Sequence, residues 1–281
     1  MLFKIKHLTT YKYSGEVFLE PHTIRLYPKN NCYQKVHSFE ISFDPKEDGK
    51  SLYLDIGENN TIAAWFSSTH SHLKIETISL VETLKADPFD YIILDNFFSS
   101  YPVEYTNPHK YLLEPYISLK HSNLVLSLSK KILEKSEHNI LGFLSELSDY
   151  VYSNFQQIIR IDGDPWDSDT TINKEMGSCR DLTVLFIDLC RSVGLASRFV
   201  SGYAYGSEEN IEDQLHAWAE VYIPGGGWRG YDPSLGLAAS DQHIALVSGV
   251  DHNLVSPVEG TFRGNDVKTE LEYSIQISKS E

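Results

Sequence analysis

The chain has 281 residues, of which 41% are hydrophobic and 22% charged, and its formal net charge at pH 7 is −15. Residues 121–281 carry 12 of the 24 basic side chains but 24 of the 39 acidic ones, so the negative charge belongs mainly to the second half. Phosphates bind to basic patches, so a surface this acidic excludes nucleic acid as a partner and disfavours an anionic membrane.

No apolar run approaches the roughly 18 residues of a membrane span, and the N-terminal residues lack the apolar stretch of a secretion signal. The three cysteines match neither a disulfide framework nor the spacing of a zinc site. These features predict a folded cytoplasmic protein with reduced thiols, no cofactor, no metal and no membrane partner. They leave the oligomeric state open.

Residues 1–86 show an apolar pattern of period two, interrupted by the turn-forming stretches YPKNN, DPKEDG and GENN. The pattern predicts a β-rich N-terminal domain, a sandwich or half barrel. Its predicted apolar positions include Leu52, Leu54, Ile56, Ile62, Ala64 and Phe66. Residues 87–120 are rich in proline and aromatic residues without clear periodicity, which predicts a linker that packs against another part of the protein.

Residues 121–281 form the predicted second domain. Ser122 and Asn139 each precede an apolar pattern of helical spacing, as N-cap residues do, and a third helix is predicted to end at Gly194. Strands are then predicted in SRFVSGYAYG, HAWAEVYIP, GWRGYDPS, HIALVSGV and LEYSIQIS. Helices followed by an antiparallel sheet indicate an α+β fold.

The third helix lies in GSCRDLTVLFIDLCRSVG and contains two cysteines with different surroundings. Cys190 falls among apolar residues in mid-helix, which predicts core packing, and Cys32 in a turn region has the same interpretation. Cys179 stands in the first turn behind two small residues, where unpaired N–H groups and the helix dipole stabilise a thiolate. This position suits a nucleophile, but it also suits a small residue that fills a helix start. The nearby Asp181 opposes a thiolate.

Strand alternation in LHAWAEVY places His216 on one face and the small Ala217 and Ala219 on the other. A helix can lie close against the small residues, which brings His216 to a helix N-terminus. Asp232 ends the next strand and can accept the second ring N–H of His216. Separately, the histidine suits a structural hydrogen bond and the aspartate an Asp-Pro turn. With Cys179 they match the nucleophile, base and orienting acid of cysteine acyl transfer.

The motifs GSCRD, HAWAEVY and YDPS, in this order, resemble the transglutaminase-like superfamily, as do RFVSGYAYG and DGDPWDSDTTINKEMGSCRD. The segments YKYSGEV, EPHTIRLYP and HLKIETISLVE are similar to the β-rich N-terminal domain of bacterial members, so the resemblance covers nearly the whole chain. A departure is Leu182-Thr183, where bacterial members often have an aromatic residue. The resemblance implies a papain-like core with Cys179 as nucleophile, His216 as general base and then acid, and Asp232 as its orienting partner.

The resemblance implies a thioacyl intermediate but does not choose the acceptor of the acyl group. Water would make the protein a cysteine protease or amidohydrolase acting on a peptide or protein, and an amine would make it a transglutaminase. Bacterial members are generally described as cysteine proteases, and water needs no second substrate pocket, so we expect hydrolysis. The alternative of a different class is a non-catalytic binding module on the same fold.

The oxyanion of an acyl transfer needs hydrogen-bond donors. The backbone N–H of Cys179 is one candidate. Side-chain candidates are Asn173, which has the spacing of the papain-type glutamine, and the indole groups of Trp166 and Trp218. Each of the three also suits an ordinary turn or core position.

Two acidic runs precede catalytic motifs, DGDPWDSD before Cys179 and GSEENIEDQ before His216. The first, Asp162–Asp169, lacks the template of a calcium loop, so we interpret it as a solvated loop. Together the runs predict an acidic cleft rim that prefers basic residues or amines. Other histidines are His70 and His72, interpreted as surface residues, and His243 and His252, spare candidates for the catalytic base.

Overall fold

A computed structural model of the chain describes residues 1–93, 103–117, 120–137, 139–160, 163–206 and 215–280. The N-terminal strands are β1 (Leu2–Leu19), β2 (His22–Ile24), β3 (Gln34–Asp44), β4 (Gly49–Leu54), β5 (Asn60–Trp65) and β6 (Thr69–Thr83). The helices are α1 (His109–Leu113), α2 (Asn123–Lys135), α3 (Ile140–Asn154), α4 (Ser168–Lys174) and α5 (Cys179–Ser192).

The later strands include a short pair beside the helices, five strands of a second region and three that return to the first. They are β7 (Gln156–Gln157), β8 (Met176–Gly177), β9 (Ser197–Ala204), β10 (Leu215–Ile223), β11 (Gly227–Asp232), β12 (Leu237–Ala238), β13 (His243–Gly249), β14 (Val258–Glu259), β15 (Phe262–Arg263) and β16 (Thr269–Ser280). Two short 3₁₀ helices lie at Glu114–Tyr116 and His252–Val255. Along the described residues, no helix reaches the length and apolarity that a membrane span requires.

Two antiparallel sheets form the N-terminal region, as the period-two pattern predicts. In one, β1 is the central strand between β6 and β16, and β6 continues to β3. The other has the order β14-β2-β5-β4. Alternate residues of β1 and β6 are buried, so each long strand presents one face to a shared core.

The alternating residues that predict strands here do lie mostly in β4 and β5, but they differ in burial. Ile62, Ala64 and Phe66 are buried, but Leu54 and Ile56 are exposed, as is Leu52. Leu52 and Leu54 lie on β4, which pairs with β5 and has no buried residue on either face, and Ile56 follows the end of β4.

The C-terminal strand β16 is antiparallel to β1 over Leu2–Tyr13. In addition, β14 pairs with β2 and β15 with β1. Residues 258–280 therefore complete the N-terminal sheets. The division of the chain at residues 86 and 120 stays a prediction. The strand pairing shows that the two N-terminal sheets contain strands from both ends of the chain.

The second region places helices against one antiparallel sheet of order β12-β11-β10-β9-β13, which confirms the α+β prediction. The predicted caps are present: the Ser122 hydroxyl accepts from the Val125 N–H at 3.2 Å, and the Asn139 side chain accepts from the Gly142 N–H at 2.9 Å. Helix α5 packs against β10 and β9. Gly194, just beyond α5, has φ +88°, a left-handed conformation that favours glycine.

Two short helices were missed in the sequence. Helix α1 lies within the predicted linker, and α4 begins directly after Asp167, whose side chain accepts from the Thr170 N–H at 2.7 Å. The linker does pack, as predicted, where it is described: Val103 and Tyr105 are buried. The Tyr105 hydroxyl donates to the Tyr222 carbonyl and accepts from the Ala196 N–H.

A buried histidine joins the two regions. His7 on β1 bonds through Nδ1 to the Tyr203 hydroxyl on β9 at 2.8 Å and through Nε2 to the Thr9 hydroxyl at 3.0 Å. Burial lowers the pKa of His7 to about 4. The histidine is therefore neutral at pH 7, with one ring nitrogen donating and the other accepting.

Candidate active site

Cys179 is the first residue of α5, and its side chain is partly exposed. Ser178 has extended backbone geometry as the N-cap, and the backbone N–H groups of the first turn lack intrahelical partners. Cys190 is fully buried in the same helix, and burial raises the pKa of its thiol far above the ordinary value. The structure therefore confirms the different surroundings of the two cysteines. Cys32 is exposed.

The Asp181 carboxylate is fully buried, and the positive charge of Arg160 balances its negative charge. Its opposition to a Cys179 thiolate, expected from the sequence, is therefore reduced. Arg160 donates to the carboxylate from Nη2 at 2.6 Å and from Nε at 3.3 Å. The N–H and hydroxyl of Ser178 donate at 2.8 Å each, and the Trp166 N–H donates at 2.7 Å. Burial raises the pKa of Asp181, but these hydrogen bonds lower it below the ordinary value. Asp181 thus holds the helix start together, with Arg160 balancing its charge.

His216 lies at the start of β10 and is bracketed by the cysteine and an aspartate. Its Nε2 lies 2.5 Å from Oδ2 of Asp232, at the end of the neighbouring strand β11. The Cys179 side chain lies near enough to the same imidazole to raise its pKa, and Nδ1 is the ring nitrogen that Asp232 does not occupy. Burial lowers the pKa of His216, but the charge and hydrogen bond of Asp232 and the contact with Cys179 outweigh burial and raise it well above 6.5.

Asp232 is fully buried and accepts hydrogen bonds at both oxygens. Oδ1 accepts from the N–H and hydroxyl of Ser234, at 3.1 and 2.7 Å, and from the Leu235 N–H at 3.2 Å. Oδ2 faces His216 and also Nε2 of His243, at 3.1 Å. Burial raises the pKa of Asp232, but the two histidines lower it far below the ordinary value. The carboxylate is therefore ionised and fixed in place.

His243, a spare candidate for the base in the sequence, contacts Asp232, which its position in the sequence does not indicate. His243 lies on β13, which pairs with one edge of β9 while β10 pairs with the other. Spacing along the chain does not predict this strand order, so it does not predict the contact between His243 and Asp232. The backbone N–H of Ser240 donates to Nδ1 of His243 at 3.3 Å. In the neutral ring the proton therefore sits on Nε2, which donates to Asp232.

His216, Asp232 and His243 offer three potential ligand atoms within 4.8 Å of one another, a separation at which they could bind one metal ion. A metal-bound histidine ligates through a free lone pair and donates its other N–H to a neighbour. His243 has the opposite arrangement, because Nδ1 accepts from a backbone N–H and Nε2 carries the proton. The cluster fits a hydrogen-bonded relay better than a metal site.

The structure places the three candidate oxyanion donors in different surroundings. Trp218 is buried beside His216, with ring centroids 6.4 Å apart. Trp166 is half-buried between the cations of Arg160 and Lys174, which lie 4.8 and 5.0 Å from its ring. Asn173 is exposed on α4. No contact singles out one of them, so the side-chain donor stays a prediction.

The acidic run before Cys179 has structural partners in its described part. Asp167 caps α4, and Asp169 accepts from the Ser122 hydroxyl. The Asp164 carbonyl accepts from Arg160 at 2.7 Å. Asp162 lies outside the described residues, as do residues 207–214 of the second acidic run. The predicted acidic rim therefore stays a prediction, and so does the solvated-loop interpretation, although the first run partly forms a helix start.

The remaining histidines contact neither Cys179 nor Asp232 through any interaction found among the described residues. His70 hydrogen-bonds to the Ser67 carbonyl at 3.2 Å, and Nε2 of His72 lies 3.4 Å from Oδ2 of Asp44. His252 lies beside Asp251, 3.4 Å away, in a short 3₁₀ helix.

Comparison with known families agrees with these motifs and with the fold. Residues 127–233 match the model of the transglutaminase-like superfamily, and residues 3–82 match that of the bacterial transglutaminase-like N-terminal region. The first match contains Cys179, His216 and Asp232.

The relatives that match over most of this chain include two bacterial proteins described as uncharacterised. A protein of Mycobacterium leprae is 24% identical over 281 residues, covering 98% of each chain. One of Haemophilus influenzae is 23% identical over 229 residues, covering 72% of this chain and 60% of its own length. A crystal structure from Cytophaga hutchinsonii, named a "putative cysteine protease", superimposes on this chain with a TM-score of 0.75 at 18% sequence identity. The superposition covers all of this chain and 92% of that one, so the two share a fold. The chain belongs to the transglutaminase-like superfamily, with the bacterial N-terminal region preceding its core.

Proposed function

We propose that the protein is a cysteine hydrolase that cleaves an amide bond in a peptide or protein through a thioacyl intermediate on Cys179. The observation that carries the proposal is the pair of contacts made by His216, with Cys179 on one side and Asp232 on the other. This arrangement supplies a nucleophile, a proton carrier and a fixed orienting group in contact with one another.

The chemistry follows from the protonation states. An imidazolium at His216 stabilises the Cys179 thiolate, because opposite charges in contact favour both charged forms. The thiolate attacks the amide carbon, a C–S bond forms, and the backbone N–H of Cys179 is positioned to donate to the oxyanion. His216 then gives its proton to the leaving nitrogen as the C–N bond breaks. In the second half, neutral His216 takes a proton from water as the water oxygen forms a C–O bond to the thioester carbon. The C–S bond then breaks, which releases the acid and restores the Cys179 thiolate beside the His216 imidazolium.

The supporting groups keep this arrangement in place. Asp232 is ionised and anchored by Ser234 and Leu235, so it holds the His216 ring in one orientation. His243 occupies the remaining side of Oδ2 as a second donor. Arg160 neutralises Asp181, so the carboxylate nearest the cysteine in sequence adds little net negative charge beside the thiolate.

Water is the proposed acceptor because it requires no second substrate pocket, and amine transfer is the alternative that the experiment separates. The preference for basic substrates rests on the acidic runs and is a further part of the proposal, as is a cytoplasmic location. Equal turnover of Lys-rich and Glu-rich peptides at low salt would rule out the basic preference.

Reactivity of the thiol provides the first test. Iodoacetamide at pH 6 to 7 should alkylate Cys179 stoichiometrically and much faster than the exposed Cys32 of the same molecule, which is an internal control. The excess rate should be lost in His216→Ala. Equal labelling rates for the two cysteines, measured by peptide mass spectrometry, would contradict a paired thiolate.

Activity provides the second test. Peptide and glutamine-donor libraries should be processed by the wild type and by Cys190→Ala, but not by Cys179→Ala. A fluorescent primary amine added to the same reaction separates the acceptors, because a hydrolase releases the free acid whereas a transglutaminase incorporates the amine. A reactive Cys179 without turnover of any library member would favour the binding-module alternative.

A further inference from the structure

A pocket of about 320 Å³ lies between the N-terminal region and the sheet of order β12-β11-β10-β9-β13. Its walls come from residues 29–34, from residues 85–88 after β6, and from strands β10, β11 and β13. Trp218 and His243 also line it, so the pocket borders the hydrogen-bonded cluster around Asp232. Clefts between structural units are common sites for small ligands.

The pocket is positively charged although the protein has a net charge of −15. Four basic side chains and one acidic side chain line it: Lys29, Lys85, Arg198, Arg229 and Glu220. Two of the cations have acidic partners. Arg198 pairs with Glu220 at 2.6 Å, and Lys85 lies 3.6 Å from a carboxylate oxygen of Asp90.

The other two cations, Lys29 and Arg229, form no ion pair in contact with a carboxylate among the described residues, although Glu220, Asp55 and Glu58 act on Lys29 from further away. The Arg229 side chain is 91% buried, given its 9% exposure, and its Nε makes no hydrogen bond. Its guanidinium lies over the rings of Tyr91 at 4.4 Å and Tyr33 at 5.6 Å. No hydrogen bond or ion pair of the Lys29 ammonium is present in the described part of the chain. Burial and the charge of Arg198 lower the pKa of Lys29 to about 8.

This combination favours an anion in the pocket. A buried donor without an acceptor costs free energy, and a charged donor costs more. Burial and Arg198 disfavour the Lys29 ammonium, and the carboxylates of Glu220, Asp55 and Glu58 offset this only in part, because the pKa of Lys29 is still lowered to about 8. An anion in the pocket would accept from Arg229 and Lys29 together, which removes both costs.

We propose that this pocket, whose unpaired cations are Lys29 and Arg229, binds a small free oxyanion, a carboxylate or phosphate group. Arginine and lysine donate to carboxylate and phosphate oxygens through strong, charge-assisted hydrogen bonds. The aromatic rings of Tyr33 and Trp228 line the same pocket and can contact an apolar or planar part of the ligand. The site is distinct from the Cys179 thiol and does not depend on the proposed hydrolysis.

Isothermal titration calorimetry on the full-length wild-type protein tests the proposal. Inorganic phosphate and succinate are titrated separately at pH 7 in Hepes, with chloride holding the ionic strength constant. We expect one of the two probes to bind with a Kd below about 1 mM, and the preferred probe identifies the headgroup. Arg229→Gln and Lys29→Gln should each weaken binding at least about tenfold, equivalent to 1.4 kcal/mol.

The matched control is Arg263→Gln, because Arg263 also lies 4.4 Å above an aromatic ring, that of Phe18, but is exposed and paired with Glu20. Its binding should equal that of the wild type. Lys29→Gln keeps the test valid if Arg229→Gln fails to fold, since Lys29 is only partly buried. No binding of either probe to the wild type, or equal binding by Lys29→Gln and Arg263→Gln, would overturn the proposal.

Discussion

Replacing Arg160 with methionine should destabilise the protein by about 3 kcal/mol. The substitution keeps an apolar stem but removes two of the five hydrogen bonds that reach the Asp181 carboxylate. Removing one partner of a buried ion pair costs about 3–5 kcal/mol because the other charge stays buried and uncompensated. Asp181 is fully buried but the Arg160 side chain is 18% exposed, so the lower end of that range applies.

Urea unfolding at pH 7, followed by circular dichroism, measures this change. Arg263→Met is the control, because it removes an arginine from an exposed pair with Glu20 and should cost no more than about 1 kcal/mol. The double variant Arg160→Met with Asp181→Asn should be less destabilised than the sum of its single variants, since it removes both charges. The reasoning is refuted if Arg160→Met and Arg263→Met differ by less than about 0.5 kcal/mol.

The same substitution links the fold to the thiol. In Arg160→Met the Asp181 charge near the start of α5 is no longer balanced, so the Cys179 thiolate is disfavoured. Iodoacetamide labelling of Cys179 in the folded fraction should slow several-fold at pH 7, while labelling of Cys32 stays unchanged. Unchanged labelling of Cys179 would show that Arg160 contributes to stability alone.

Three further predictions concern buried polar groups and close packing. His243→Phe removes a donor to Asp232 and should lower kcat about tenfold, whereas His243→Gln, which can still donate, should keep most of it; equal losses would contradict hydrogen bonding as the cause. The pKa of His7 is about 4 in the folded protein and about 6.5 in the unfolded chain. The free energy of unfolding should therefore fall by about 3 kcal/mol as the pH drops from 6.5 to 4. Urea titrations at several pH values should show that His7→Gln loses this dependence. Gly202→Ala would place a methyl group 2.2 Å from a backbone oxygen of β13, so its free energy of unfolding in urea should fall by about 2 kcal/mol or more. Gly15→Ala is the control and should change little, because the nearest atom to its methyl group would lie at 3.8 Å.

Features that depend on neighbours in the chain were predicted correctly from the sequence. Ser122 and Asn139 cap the helices that follow them, because a cap needs only a side chain and an N–H three residues away. The position of Cys179 at a helix start and the alternation around His216 are local in the same sense. The order of the three motifs was sufficient to indicate the family.

Features that depend on strand order and long-range contacts were decided only by the tertiary structure. Arg160 reaches Asp181 across 21 residues, and His243 meets Asp232 because β13 joins the sheet beside β9. Leu54 is exposed because neither face of β4 is covered, which an alternating pattern does not reveal. Sequence periodicity tells which side chains share a face, but not which element covers that face. For this protein the sequence determined the candidate nucleophile and its proton carrier, and the tertiary packing determined the charges and hydrogen bonds that surround them.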